Sequence, residues 1–269
     1  MNTAVIAIPA VVFYFAGGLS TGLRLFGNPD SARPPRYLGI AFGLVGALLH
    51  AAVLYQGMTR AGGLDFGFFH AFSLAAWTIV LLLLLSSASK PVENLGIVLL
   101  PIAAITILLA LRYQEVRVLD PDAPWGLKMH VLISLLAYSL LALASMQAIM
   151  LAIQDRHLRR HRPVGFVRAL PPLQTMETLL FEMITVGFLL LTVALASGFM
   201  FLEDMFAQHL VHKTVLGITA WTVFAVLLWG RWRFGWRGRT AIRWTLTGFA
   251  VLALAYFGSK AVLELILGK

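Results

Sequence analysis

The sequence predicts an all-α fold: a polytopic bundle of about eight membrane-spanning helices, with both termini outside. Three observations carry that prediction. Of the 269 residues, 59% are hydrophobic and only 12% charged, and the mean hydropathy is +0.84, far from soluble globular composition. The apolar residues gather into eight runs, most of them near the ~20 residues a helix needs to cross the hydrocarbon. The loops between the runs are short and hold most of the arginines.

The runs lie at roughly 4–22, 37–56, 66–87, 95–111, 129–153, 179–201, 214–230 and 244–267. The first lacks a basic leader and a small-residue cleavage site, so it reads as a retained helix rather than a signal peptide. The second carries Gly39, Gly43, Gly46 and His50 at helical spacing, a stripe of small residues suited to close helix contact that ends on a histidine. The fourth and seventh are short but usable. The fifth places His130, Ser134 and Tyr138 on one face, continued by Ser145. The last holds Lys260 and Glu264 as an i,i+4 pair, and Glu182 falls near the inner end of the sixth. Trp229, Trp232, Trp236 and Trp244 bracket the final basic loop as an interfacial aromatic belt. No loop accommodates a soluble domain and no internal repeat stands out, so residues 1–269 read as a single integral membrane domain.

Charge sets the expected orientation. The loops after runs one, three, five and seven hold fourteen of the 21 Lys and Arg residues, including Arg156, Arg159, Arg160, Arg162 and Arg168 in one loop and Arg231 to Arg243 in another. The other side carries few basic residues, offset by Glu115, Asp120, Asp122, Glu203 and Asp204. The positive-inside rule therefore puts those four loops in the cytoplasm. A net charge of +9 would suggest nucleic acid in a soluble protein; here it reflects topology. The absence of cysteine excludes disulfides, thiol exchange, Cys-x-x-Cys-His haem attachment and Fe–S ligation by this chain.

Five of the seven histidines fall toward the expected outer side. Imidazole is costly in lipid, so this asymmetry points to a metal or a haem. His130 and His50 are the principal candidates, with His70, His209 and His212 as further ones. Each has a plain alternative: a hydrogen bond across a helix interface for His50, a headgroup-level residue for His130, a solvated loop for the others. His157 and His161, in the run RHLRRHR, read as ordinary cytoplasmic loop residues. No nucleophile, acid–base pair or phosphate loop is visible, so the expectation is a protein without catalysis of its own.

The chain resembles the YpjD branch of the CcsA/ResC-type cytochrome c assembly family nearly end to end. The likeness is carried by LLHAAVLY around His50, KMHVLISLLAYSLLALASMQAIML from Lys128 and PPLQTMETLLFEMITVGFLLLT from Pro171. HKTVLGITAWTVFAVLLWG from His212, GWRGR at Gly235–Arg239 and LAYFGSK at Leu254–Lys260 complete it. The resemblance implies a bacterial inner-membrane protein that handles non-covalent b-type haem at the outer face. His130 would be one iron ligand and His50 a second ligand or a support. Haem-handling members share a tryptophan-rich outer segment flanked by two external histidines; His130 matches the first. The corresponding stretch GFMFLEDMFAQHLVHKT from Gly198 has no tryptophan, the second histidine is absent near Leu267, and none stands near Trp229 or Gly230. These departures argue against full synthase activity.

Two other readings stay open. One is an accessory or regulatory subunit without a cofactor, attached to a divalent-cation (cobalt or magnesium) transporter, with which some members of the branch are associated. The other is copper binding by His130 with Met129 or Met205. Expected partners are membrane lipid and either cytochrome c assembly components or a cation-transport protein; nucleic acid is not among them.

Overall fold

The computed structural model describes residues 3–27, 32–63, 65, 67–113, 118, 122–159, 170–201 and 211–258. Their helices are α1 (Thr3–Phe26), α2 (Arg36–Ala61), α3 (Phe68–Ser87), α4 (Gly96–Arg112), α5 (Trp125–Arg159), α6 (Leu173–Phe201), α7 (Val211–Phe234) and α8 (Arg239–Ala253). A short 3-10 turn, Glu93–Leu95, leads into α4, and a π-helical turn, Leu254–Gly258, continues α8. Among the described residues, eight helices are long and apolar enough to cross a membrane, as the eight apolar runs predict. Outside the helices, among the described residues, Asp65 and Val118 form an isolated antiparallel bridge.

The helices outrun the apolar runs that announce them. The 35 residues of α5 rise about 52 Å, more than a hydrocarbon core of about 30 Å. Hydropathy marks the part of a helix that lipid covers, whereas the hydrogen-bonded ladder continues into the headgroup zone with polar residues. For this reason His157 lies on the last turn of α5, bonded to the Ile153 carbonyl (2.8 Å), rather than in a loop. His212 likewise sits on the first turn of α7, and α8 begins at Arg239, not near residue 244.

The contacts form two compact units: Met1–Pro121 with Pro163–Pro171, and Asp122–Arg162 with Pro172–Lys269. In the first, α1 packs closely on α2 along the glycine stripe. A Cβ at Gly39 would lie 2.6 Å from Thr21 Oγ1, and one at Gly46 would lie 2.6 Å from the Tyr14 ring. Only hydrogen fits at these positions, so the two backbones approach closely. Ala7, Ala10, Ala47, Ala103 and Ala104 extend the same small-residue packing through the core. At one end, Arg24 (3.5 Å) and Arg36 (3.1 Å) converge on Glu93, and Arg36 also donates to the Ser87 carbonyl (2.7 Å). The ends of α1 and α3 and the starts of α2 and α4 thus meet at one charged cluster, as alternating spans require.

In the second unit, Ala137, Leu141, Ala144 and Ala148 form a buried stripe on α5 facing α6, where Gly187 meets Leu141 Cδ2 at the distance of a tight contact, 2.7 Å from an added Cβ. Gly248 of α8 packs in the same way on Phe224 of α7. The α7–α8 turn contains Gly235 (φ 65°) and Gly238 (φ 56°), backbone values that glycine adopts without strain. The turn is tied down by buried Glu177 of α6, which accepts from the Gly238 N–H (3.1 Å) and faces Arg231 (3.5 Å) and Arg237 (3.9 Å). Trp236 lies flat over Gly230 and 5.5 Å from Trp244, so these two tryptophans are packing elements. Trp229 and Trp232, 62% and 84% exposed, are the ones free to meet the membrane interface.

Candidate functional site

His130 lies in the first turns of α5, part-buried, with Nδ1 3.0 Å from Ser197 Oγ of α6. Ser197 in turn donates to the Ala194 carbonyl (2.9 Å). With the serine proton committed there, Nδ1 of His130 must carry the hydrogen and donate to Oγ. In the neutral ring the lone pair is then on Nε2. A metal-ligating histidine needs this arrangement, with one nitrogen held by an acceptor and the other free to bind. The partner comes from α6, 67 residues away, rather than from Ser134 or Tyr138 on the helix face that His130 shares.

Further along the His130 face, buried Tyr138 is surrounded by aromatic rings. Phe249, Tyr256 and Phe257 have centroids 5.5, 5.6 and 5.4 Å from it. Two of these belong to the π turn, which widens the helix by one residue and re-aims its side chains. The result is an apolar wall two helical turns below the imidazole.

His50 belongs to the first unit and is fully buried. Its Nδ1 is 3.2 Å from the Tyr14 hydroxyl of α1 and its Nε2 2.9 Å from Ser73 Oγ of α3. One ring nitrogen donates and the other accepts, so both are used. Nearby, Trp77 Nε1 donates to the Ala47 carbonyl (2.8 Å), adding another α3-to-α2 bond. The placement of His50 on the glycine stripe was legible in the sequence; its partners on α1 and α3 were not.

His70, at the start of α3, has a neighbour that sequence reasoning missed. Asp65 Oδ2 lies 3.3 Å from His70 Nδ1, while Asp65 Oδ1 accepts from the Gly67 N–H (2.8 Å). The approach is ionic in distance but not aligned as a hydrogen bond, since Nδ1 has no hydrogen-bond partner of good geometry. Phe69 beside it stacks on Tyr113 at 4.5 Å. His212 is exposed. His209, His161, Met205, Lys260 and Glu264 lie outside the described residues. Glu182 is exposed on α6. Among the described residues no group of three or more His, Asp or Glu side chains is placed to hold a metal ion. His130 and His50 fall in different units.

Eight helices long and apolar enough to cross a membrane, among the described residues, define the class as a multi-pass helical membrane protein. The family described as "Cytochrome C assembly protein" matches residues 38–267, and the chain belongs to that family. It is 36% identical over 178 residues to the "Inner membrane protein YpjD" of Escherichia coli K12, covering 65% of this chain and 67% of that protein. An uncharacterised 28.8 kDa protein of Azospirillum brasilense is 32% identical over 142 residues, 52% of each chain. A "Cytochrome c biogenesis protein CcsA" of Synechococcus strain CC9902 is 28% identical over 155 residues, 49% of this chain and 51% of the relative. No solved structure matches the chain significantly. The chain is accordingly a multi-pass inner-membrane protein of the cytochrome c assembly type.

Proposed function

We propose that this protein binds or handles haem at the outer membrane face through Nε2 of His130, in the service of cytochrome c assembly. The observation that carries the reading is the chain from His130 Nδ1 through Ser197 Oγ to the Ala194 carbonyl, which leaves the ligating nitrogen with its lone pair. The aromatic wall formed by Tyr138, Phe249, Tyr256 and Phe257 suits the apolar body of a porphyrin. When bound, the haem supplies the redox and ligation chemistry; the chain orients it and excludes water. No catalytic step is assigned to a residue of this chain.

In this reading His50 is a support. Neither of its nitrogens can reach iron without surrendering a hydrogen bond to Tyr14 or Ser73. The same observation favours the second reading, an accessory subunit without haem linked to divalent-cation transport, in which His50 and His130 are both packing groups. Protein purified from haem-replete cells distinguishes the two by its visible spectrum. The haem reading expects a Soret band that His130→Ala shifts or abolishes and that His157→Ala leaves unchanged. Well-folded protein that carries no haem and cannot be loaded with it supports the accessory reading.

A further inference from the structure

At the arginine-rich end of the second unit, α5 and α8 line a cavity of about 360 Å³. Ala152, Asp155, Arg156 and Arg159 line it from α5, and Arg239, Ile242 and Arg243 from α8. Asp155 is the one carboxylate of the lining. It is held by Arg159 (2.9 Å) and by Arg239 (3.3 Å), so it fixes two guanidinium groups across the mouth of the cavity. Arg156 and Arg243 have no ion-pair partner among the described residues. With four arginines against one aspartate, the lining carries a net charge of +3 at neutral pH.

The position of the cavity matters as much as its charge. It sits at the ends of two membrane-spanning helices, in the unit whose exposed Trp229 and Trp232 mark the headgroup level. Its walls are mixed: guanidinium groups at the rim, and Ala152 with buried Ile242 on the inner side. Guanidinium binds phosphate oxygens in a bidentate fork and loses less hydration than ammonium in doing so. A site with paired cations above an apolar floor, at this depth, fits a phosphodiester attached to acyl chains.

We propose that this cavity is a binding site for the headgroup of an anionic phospholipid, with Arg156 and Arg243 on the phosphate. Arg159 and Arg239 are positioned by Asp155 to close the rim, and Ala152 and Ile242 meet the glycerol and the first methylenes. The site is independent of the His130 reading. Ala152, the nearest lining residue of α5, stands 22 residues from His130, about 33 Å of helix.

The test compares wild-type protein in nanodiscs or detergent by native mass spectrometry and by thermal unfolding, with phosphatidylglycerol, phosphatidylcholine or inorganic phosphate added. Wild type should retain and be stabilised by phosphatidylglycerol over phosphatidylcholine. Replacing both Arg156 and Arg243 by Gln should lower that preference by about five-fold per arginine, about thirty-fold in all. Arg156→Lys with Arg243→Lys, which keeps the charge and guards against a folding defect, should retain most of it. Arg233→Gln, an exposed arginine on α7 outside the cavity, should leave it unchanged. Equal retention of the two lipids by wild type, or an undiminished preference in the Gln pair, overturns the site. Equal protection by inorganic phosphate means that a free anion is the ligand, which overturns the lipid assignment.

Discussion

Gly46→Ala measures how tightly α1 and α2 are locked around His50. The added Cβ would lie 2.6 Å from Cδ1, 2.9 Å from Cε1 and 3.1 Å from Cγ of Tyr14, against an ordinary carbon contact of about 3.5–4.0 Å. The ring has nowhere to go, because Tyr14 is fully buried and its hydroxyl is held by His50. The helices must therefore part by about 1 Å, a displacement of the kind that costs about 1–3 kcal/mol when a packed core is overfilled. Against this stands the gain of about 0.5–1 kcal/mol from replacing a mid-helix glycine. The net expectation is a loss of about 1–2 kcal/mol. Gly57 provides the comparison on the same helix: nothing lies within 4 Å of its Cβ position, so Gly57→Ala should be neutral or slightly stabilising. The two variants should differ by about 2 kcal/mol, roughly thirty-fold in the unfolding equilibrium, read by reversible unfolding in mixed micelles followed by helical circular dichroism. If Gly46→Ala unfolds like Gly57→Ala, the α1–α2 contact through Tyr14 is not the constraint described here.

Three further outcomes follow from the other contacts. Ser197→Ala removes the acceptor that orients His130 and should weaken haem affinity about 10–100-fold, measured by titration of apoprotein, while helical content is unchanged. Glu177→Ala frees the α7–α8 turn and leaves Arg231 without its carboxylate. The Arg231 and Arg237 pairs are partly solvated, so the loss should come mainly from the buried Gly238 N–H and total about 1–2 kcal/mol; Glu177→Gln, which keeps an acceptor, should lose less. Reporter fusions after residues 30, 162 and 237 should report cytoplasm and those after residues 120 and 207 the outside. An outside signal at 162 would reverse the orientation and the outer-face placement of His130.

The sequence by itself determined that the chain is a set of membrane helices, because an apolar run of about 20 residues can satisfy its backbone in lipid only as a helix. It also determined that His50 would be buried: a stripe of Gly39, Gly43, Gly46 and His50 invites another helix, and the helical period alone fixes which side chains share that face. The resemblance to cytochrome c assembly proteins was legible from the order of segments along the chain, and the family match over residues 38–267 bears it out. What no local pattern contained was which helix would meet which. Ser197 is 67 residues from His130, Tyr14 is 36 from His50, and Arg239 is 84 from Asp155. Hydropathy is nearly uniform along each span, so it fixes that a helix is in the membrane but not its neighbour or its rotation. Those are decided by the packing of small residues against bulky ones, Gly46 on Tyr14, Gly187 on Leu141 and Gly248 on Phe224. That packing decides that both nitrogens of His50 are occupied by Tyr14 and Ser73, and that Nδ1 of His130 meets Ser197.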